Sequence, residues 1–274
     1  MTRVHEETGL RVPRVHVTPA ELCIPNVTFR RDTSKYLRTV LRLKRGDLVE
    51  VFGLERSYIV KLTRVDGIEV SGAIMEESTE PEDAAPEIVL AIACIRPGPF
   101  SEVLRHGTEL GVKRFVPLVT ARSQRRPDGR KERWGTITAS AAAQSGRAGV
   151  PVVEAPSIFA DFLVRDFSCA DTVVLSPAIG ARPFLEVMMS LERKTELVLL
   201  VGPEGGLDPE EEQLAEKAGF EPAGLGSAIL RSETAAMAAV AVAAAWREWT
   251  GGSWRGKKMA LKSRGDSSRA DRRL

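Results

Sequence analysis

The residues with the clearest chemical potential lie in two glycine-bearing stretches, Gly202-Pro-Glu-Gly-Gly206 and Leu225-Gly-Ser-Ala-Ile-Leu-Arg-Ser-Glu-Thr234. In the first, Pro203 fixes φ, while Gly205 and Gly206 tolerate positive φ and carry no Cβ to hold a ligand away from the backbone. Glu204 places a carboxylate inside this turn, which would repel a phosphate and suits a neutral or cationic ligand. The segment lacks both the GxGxxG pattern and the Lys-Ser/Thr of a P-loop, and from spacing alone it reads equally as a tight loop without a ligand. In the second stretch, Arg231 sits between apolar residues and a helix start. Burying it would require a partner, for which Glu204 and Glu233 are the candidates.

The elements that must position these residues are legible around them. Leu197 to Val201 is an unbroken apolar run, as expected of a strand buried on both faces of a parallel sheet. Asp208, Pro209 and the Glu210-Glu-Glu212 run follow as N-cap, first helical residue and acidic first turn. A strand, a ligand-sized gap and a helix are therefore expected, with the gap at the carboxyl end of the strand, where open α/β sheets bind small molecules. Ser232 to Trp249 reads as a long helix whose small residues allow close approach of another backbone.

Upstream, strands (Ile88 to Ile95, Phe115 to Val119, Val152–Val153, Thr172 to Leu175) alternate with helices (Phe100 to Leu110, Trp134 to Ser145, Ser157 to Val164, Pro183 to Arg193). Such alternation predicts an α/β domain with a parallel sheet. Residues 1–75 are instead β-rich, with strands expected at Arg14 to Val17, Leu48 to Phe52, Ser57 to Arg64 and Ile68 to Ala73. Turn signals stand at Arg45-Gly-Asp47 and Asp66-Gly67. One helix is expected over Thr33 to Leu43, with Leu37, Val40 and Leu41 on an apolar face and Lys35, Arg38 and Arg42 on a basic one. The acidic, proline-bearing segment 76–86 reads as a linker, 87–250 as the α/β domain, and 251–274 as a basic, disordered tail.

Charge is unevenly distributed in a chain of formal net charge +2. The segment Arg122 to Arg133 holds six basic residues and reads as an exposed loop around Pro127-Asp-Gly129, and the tail from Arg255 to Leu274 holds eight. Two such segments point to a polyanionic partner, with RNA or a ribosomal particle first. The three cysteines (Cys23, Cys94, Cys169) form no CxxC pair, so neither a zinc site nor a disulfide framework is indicated, and a reducing cytoplasm fits. No metal site, signal peptide or membrane span is expected.

Taken together, Val201-Gly-Pro-Glu-Gly-Gly-Leu207 and Leu225-Gly-Ser-Ala-Ile-Leu-Arg-Ser-Glu-Thr-Ala235 resemble the paired cofactor-loop motifs of the 16S ribosomal RNA uridine-N3 methyltransferases, RsmE type, of the SPOUT superfamily. Tyr36 to Asp47 resembles the helix and turn of that family's amino-terminal barrel. Thr108-Glu-Leu-Gly-Val112 and Gln144-Ser-Gly-Arg147 resemble two further signatures. The chain departs from the family pattern at His106, at Ala143 and in Pro97-Gly-Pro-Phe100.

The resemblance implies a trefoil-knotted SPOUT methyltransferase domain behind a PUA-like RNA-binding β-barrel, a cytoplasmic homodimer, and S-adenosylmethionine as cofactor. The implied cofactor residues are Ser176, Pro177, Gly202, Pro203, Glu204, Gly205, Gly206, Leu225, Gly226, Ile229, Leu230 and Thr234. Arg231 is implied as the catalytic cation on the uracil, with Glu233 as its orienting partner or the proton acceptor. RNA would be held by Arg14, Lys35, Arg38, Arg42, Arg122, Arg125, Arg126 and Arg147, within 16S rRNA of the small subunit. An rRNA-binding protein that keeps the cofactor fold without turnover is the alternative. A dinucleotide-dependent dehydrogenase is disfavoured, because no glycine fingerprint follows Ile88 to Ile95.

Overall fold

The computed structural model describes residues 3–4, 11–53, 56–66, 69–79, 86–123, 131–147, 149–176 and 181–250. Outside these residues lie Gly67 with Ile68, most of the expected linker, Arg125 and Arg126 with the Pro127-Asp-Gly129 turn, Pro177, and the tail. The chain forms two compact units that interleave in sequence, one from residues 1–82, 97–115 and 127–155, the other from 83–96, 116–126 and 156–274. The first passage between the units, at 82/83, falls within the expected linker 76–86, but the chain then returns to the first unit at 97–115 and 127–155.

In the first unit β1 (Arg3–Val4) pairs antiparallel with β2 (Arg11–Val12). A six-stranded sheet follows, built from β3 (Arg14–His16), β4 (Leu22–Cys23), β5 (Asn26–Phe29), β6 (Leu48–Gly53), β7 (Arg56–Asp66) and β8 (Glu69–Thr79) in the order β3-β6-β7-β8-β5-β4. Only β3 and β6 run parallel; the other pairings are antiparallel. The core of this unit includes Val27, Phe29, Val49, Val51, Val60 and Leu62. Gly72 is dictated by packing, since a Cβ there would lie 2.4 Å from Val60 Cγ1 and 2.8 Å from the Lys61 carbonyl oxygen. β8 carries the sheet through Glu76 and Glu77, residues expected in the linker; Glu77 pairs with Arg56 across the strands at 2.6 Å.

The helix expected over 33–43 begins earlier and ends sooner. α1 (Arg31–Lys35) continues into a π-helical turn, Tyr36–Val40, in which the Leu41 N–H donates to the Tyr36 carbonyl five residues back. The wider turn rotates the anticipated apolar face apart. Leu37 is fully buried, whereas Val40 is 63% exposed. Ser34 anchors the helix, its hydroxyl donating to the Phe29 carbonyl at 2.9 Å and accepting from the Val70 N–H at 3.1 Å.

The remaining elements are β9 (Glu87–Ala93), α2 (Pro97–Leu110), β10 (Val112–Val119), α3 (Lys131–Ser145), β11 (Val152–Val153), β12 (Ser157–Ile158), α4 (Phe159–Leu163), β13 (Ala170–Leu175), β14 (Arg182–Pro183), α5 (Phe184–Ser190), β15 (Glu196–Val201), α6 (Pro209–Lys217), β16 (Glu221–Gly224) and α7 (Ser232–Thr250). Of these, α2 and α3 belong to the first unit and pack through Phe100 and Trp134, whose ring centroids are 5.0 Å apart.

The second unit carries the parallel sheet that the βα alternation predicts. Its strands run in the order β10-β9-β15-β13-β16-β14, with β12 beside the end of β10. The pairings of β9 with β15, β15 with β13, β13 with β16 and β16 with β14 are all parallel. β15 is central, and Leu197 to Val201 are all buried, as the unbroken apolar run requires. One cluster joins Val198 and Leu200 to Val116, Leu118, Phe159, Phe162 and Phe220. α7 packs against β9 and β15, and its Ala236, Ala239, Val240 and Ala243 are fully buried. Short β16 reads as a mere turn from sequence, since Glu221-Pro-Ala-Gly224 has neither β-branched residues nor alternation.

Candidate functional site

Strand register places the two motifs together. Leu175 of β13 is paired with Val201 of β15 on one side and with Ala223 of β16 on the other. Three chains therefore leave the sheet at one level, into Ser176, Gly202 and Leu225, and the Ser176 N–H donates to the Ala223 carbonyl at 3.0 Å. A pocket opens at these carboxyl ends. Its floor is Leu175, Val201 and Ala223, its walls include Gly202, Pro203, Glu204 and Gly206 on one side and Leu225, Gly226, Ile229 and Leu230 on the other, and Ser232 and Ala235 of α7 close it.

The turn is shaped by its own bonds. The Gly206 N–H donates to the Pro203 carbonyl at 2.8 Å, and Gly206 has φ +70°, which favours glycine. A Cβ on Gly202 would lie 3.0 Å from the Leu207 backbone nitrogen. Directly after it, Asp208 accepts from the Glu210 N–H at 3.1 Å while its own N–H donates to Glu211 at 3.0 Å, the reciprocal capping box that starts α6.

Glu204 gives the pocket its electrostatic character. Both carboxylate oxygens are buried and accept no hydrogen bond from the described residues, and the Arg96 Nε lies 3.9 Å away, beyond hydrogen-bonding distance. A buried carboxylate with unused acceptor capacity is costly unless something cationic or donating completes it. Together with the glycine-lined walls, this fits a ligand such as S-adenosylmethionine, with its positively charged sulfur and ammonium groups.

The structure places the expected site residues unevenly. Ser176, Gly202, Pro203, Glu204, Gly206, Leu225, Gly226, Ile229 and Leu230 all line the pocket. Gly205 and Thr234 do not; both are exposed, as is Arg231. Glu233 is half-buried and also outside the lining. Arg231 is exposed, so the condition under which it would need Glu204 or Glu233 as a partner does not arise; among the described residues it makes no ion pair, and Arg96 lies beside Glu204.

Among the basic residues, Lys35, Arg38 and Arg42 are exposed. Arg14 is not available to RNA. It is 8% exposed, its Nε lies 3.0 Å from the buried Glu50 carboxylate, and its guanidinium stacks over Phe52 at 4.6 Å. Arg147 is likewise engaged internally, donating to the Glu109 carbonyl at 2.9 Å near the end of α2. That carbonyl end attracts a cation through the helix dipole. Arg122 turns back onto the glycine turn, donating to the Gly205 carbonyl at 2.9 Å. Sequence reasoning missed this partner, and it also missed Arg96, because neither contact has a spacing signal. Ser232, read only as a helix opener, is a lining residue.

Residues 82–244 match the family model described as an RNA methyltransferase domain. The ribosomal RNA small subunit methyltransferase E of Synechocystis sp. is 34% identical over 240 residues, 83% of this chain and 76% of that protein. Its Bacillus subtilis namesake is 31% identical over 229 residues, 79% of this chain and 88% of that protein. Among solved structures, ribosomal RNA small subunit methyltransferase E from Neisseria gonorrhoeae bound to S-adenosyl methionine superposes with a TM-score of 0.75 at 29% identity, covering 84% of this chain and 95% of that one. A putative methyltransferase from Legionella pneumophila, solved with bound SAM, gives 0.77 at 26% identity, covering 86% and 98%.

Proposed function

The chain belongs to the RNA methyltransferase family, with ribosomal RNA small subunit methyltransferases E as its relatives, and from that membership we propose that it methylates N3 of a uridine in 16S rRNA using S-adenosylmethionine. The carrying observation is the register of Leu175, Val201 and Ala223, which gathers the loops after three strands around one glycine-lined pocket holding the Glu204 carboxylate. When bound, S-adenosylmethionine supplies a methyl group on a positively charged sulfur.

The chain's own residues would do the rest. Glu204 would compensate the cofactor's positive charge, and the backbones of Leu225, Gly226, Ile229 and Leu230 would hold its adenosine portion. Uridine N3 is a weakly acidic imide, so its anion must be favoured and held in line. Arg231, exposed one residue from Leu230 and Ser232 of the pocket wall, is suited to receive negative charge on the uracil. Glu233 orients that guanidinium or accepts the N3 proton. N3 lies on the pairing edge of the base, so the nucleotide must be unpaired or flipped when it reaches Arg231.

The six-stranded sheet of the first unit would be the PUA-like RNA-binding barrel, contacting phosphates through Lys35, Arg38 and Arg42. The second unit would be trefoil-knotted, as in the SPOUT superfamily. The protein would act as a homodimer, whose interface would cover exposed apolar side chains such as Leu185 and Met189 of α5 and Trp249 of α7, at 62%, 54% and 56%. The protein would work in the cytoplasm, on RNA or an assembled small subunit.

The test is transfer of labelled methyl from S-adenosylmethionine to small-subunit particles lacking the modification, with nucleoside analysis, for wild type and Arg231→Ala. Label in 3-methyluridine that falls about 100-fold or more in the variant, with cofactor binding retained, is the expected result. Label in another nucleoside would overturn the N3 assignment. Cofactor binding without transfer to particles or naked rRNA would replace the enzyme with a binding protein.

A further inference from the structure

We propose that Arg122 is a positioning residue that clamps the cofactor loop from its outer side. The inference rests on the reading of the Gly202–Gly206 pocket as the S-adenosylmethionine site. Arg122 is 83 residues upstream of Gly205 in sequence, yet one guanidinium nitrogen donates to the Gly205 carbonyl at 2.9 Å and to the Leu207 carbonyl at 3.3 Å. The other donates to the Asp208 carboxylate at 3.2 Å. These acceptors bracket Gly206, the left-handed residue of the turn.

The two sides of the loop thus have different duties. Gly202, Pro203, Glu204 and Gly206 line the pocket, whereas Gly205 does not, and a Cβ on Gly205 would lie 3.5 Å from the Arg122 Cδ. Arg122 is itself held on a firm base. The Thr120 N–H donates to the Ser123 hydroxyl at 2.9 Å, the Ser123 N–H returns to the Thr120 carbonyl at 3.1 Å, and the Ala121 N–H donates to Glu211 in the first turn of α6 at 2.7 Å. Asp208, the third acceptor, is the residue that caps α6. One planar fork therefore fixes the turn, its exit and the helix start together, a geometry that lysine's single ammonium reproduces only in part. Preorganising the turn lowers the ordering cost of binding, so losing the clamp should weaken cofactor affinity and not RNA affinity.

The experiment compares full-length wild type, Arg122→Ala, Arg122→Gln and Arg122→Lys. S-adenosylmethionine affinity is measured by calorimetry, affinity for a small-subunit rRNA fragment by filter binding, and the thermal midpoint in parallel. Arg122→Ala and Arg122→Gln should each weaken cofactor binding about tenfold, and Arg122→Lys should recover part of it. The rRNA affinity of all three should stay within about twofold of wild type. Arg122→Gln keeps part of the stem against Gly205, so it decides the question if the alanine variant fails to fold. Unchanged cofactor affinity would overturn the clamp, and a loss of rRNA affinity alone would in addition make Arg122 a phosphate contact. Failure of the wild type itself to bind S-adenosylmethionine would instead overturn the cofactor reading, and the clamp with it.

Discussion

The guanidinium of Arg147 occupies the space that a side chain on Gly111 would need: a Cβ built on Gly111 lies 2.7 Å from both terminal nitrogens of Arg147. The same guanidinium donates to the Glu109 carbonyl, two residues before Gly111, so the Thr108-Glu-Leu-Gly and Gln144-Ser-Gly-Arg motifs meet in one contact. Gly111 also has φ +100°. Gly111→Ala should therefore cost about 2 kcal/mol, from backbone strain at positive φ together with displacement of the Arg147 guanidinium from the Glu109 carbonyl. Arg147→Ala should cost ~1 kcal/mol through the lost hydrogen bond. Denaturant unfolding of both variants checks this, and an Arg147→Ala protein of wild-type stability with weakened rRNA binding would return Arg147 to the RNA surface.

Arg14 and Glu50 form an ion pair whose side chains are only 2% and 0% exposed. Removing one member of such a pair strands the other charge in the interior. Glu50→Ala is expected to destabilise the protein by roughly 3–5 kcal/mol, while replacing both residues with apolar ones should cost much less. Urea midpoints of the single and double variants decide between this and a merely superficial pair, for which the single variant would lose under ~1 kcal/mol.

Glu204 offers a test of what fills the pocket. Glu204→Gln keeps the shape and removes the negative charge, so S-adenosylmethionine affinity should fall about tenfold or more. S-adenosylhomocysteine, whose sulfur is neutral, should be less affected. Equal losses for the two ligands would assign Glu204 to the shared ammonium or ribose portion and not to the sulfur.

Burial pushes the Cys94 thiol from its ordinary value of 9.0 up to about 11. In the unfolded chain the same thiol ionises at its ordinary value, so above that pH the unfolded state holds fewer protons. The contribution of Cys94 to stability is therefore complete below about pH 9 and is lost as pH rises toward 11. Cys94→Ala should flatten the stability decline across this window. At pH 8, alkylation should reach the exposed Cys23 and Cys169 long before the buried Cys94.

Local signals in the sequence were enough for the parallel sheet and for many residues that line the pocket at its carboxyl edge. The apolar run Leu197 to Val201 could only be satisfied by burial on both faces, Asp208-Pro209 marked a helix start, and the glycines of 202–206 marked a turn that a ligand can approach. These properties depend on neighbours within a few residues, so the chain states them directly. Register is different: the alignment of Leu175, Val201 and Ala223 depends on strands separated by loops and helices, and it is this alignment that turns two motifs into one pocket. The fates of the arginines were also decided only in three dimensions. Arg14, Arg122 and Arg147 look alike in sequence as basic residues free to meet RNA. Folding gives them the Glu50 carboxylate, the Gly205 turn and the Glu109 carbonyl as partners, because a guanidinium lowers its energy beside a carboxylate or carbonyl oxygen, by ion pairing at Arg14 and by hydrogen bonding at Arg122 and Arg147.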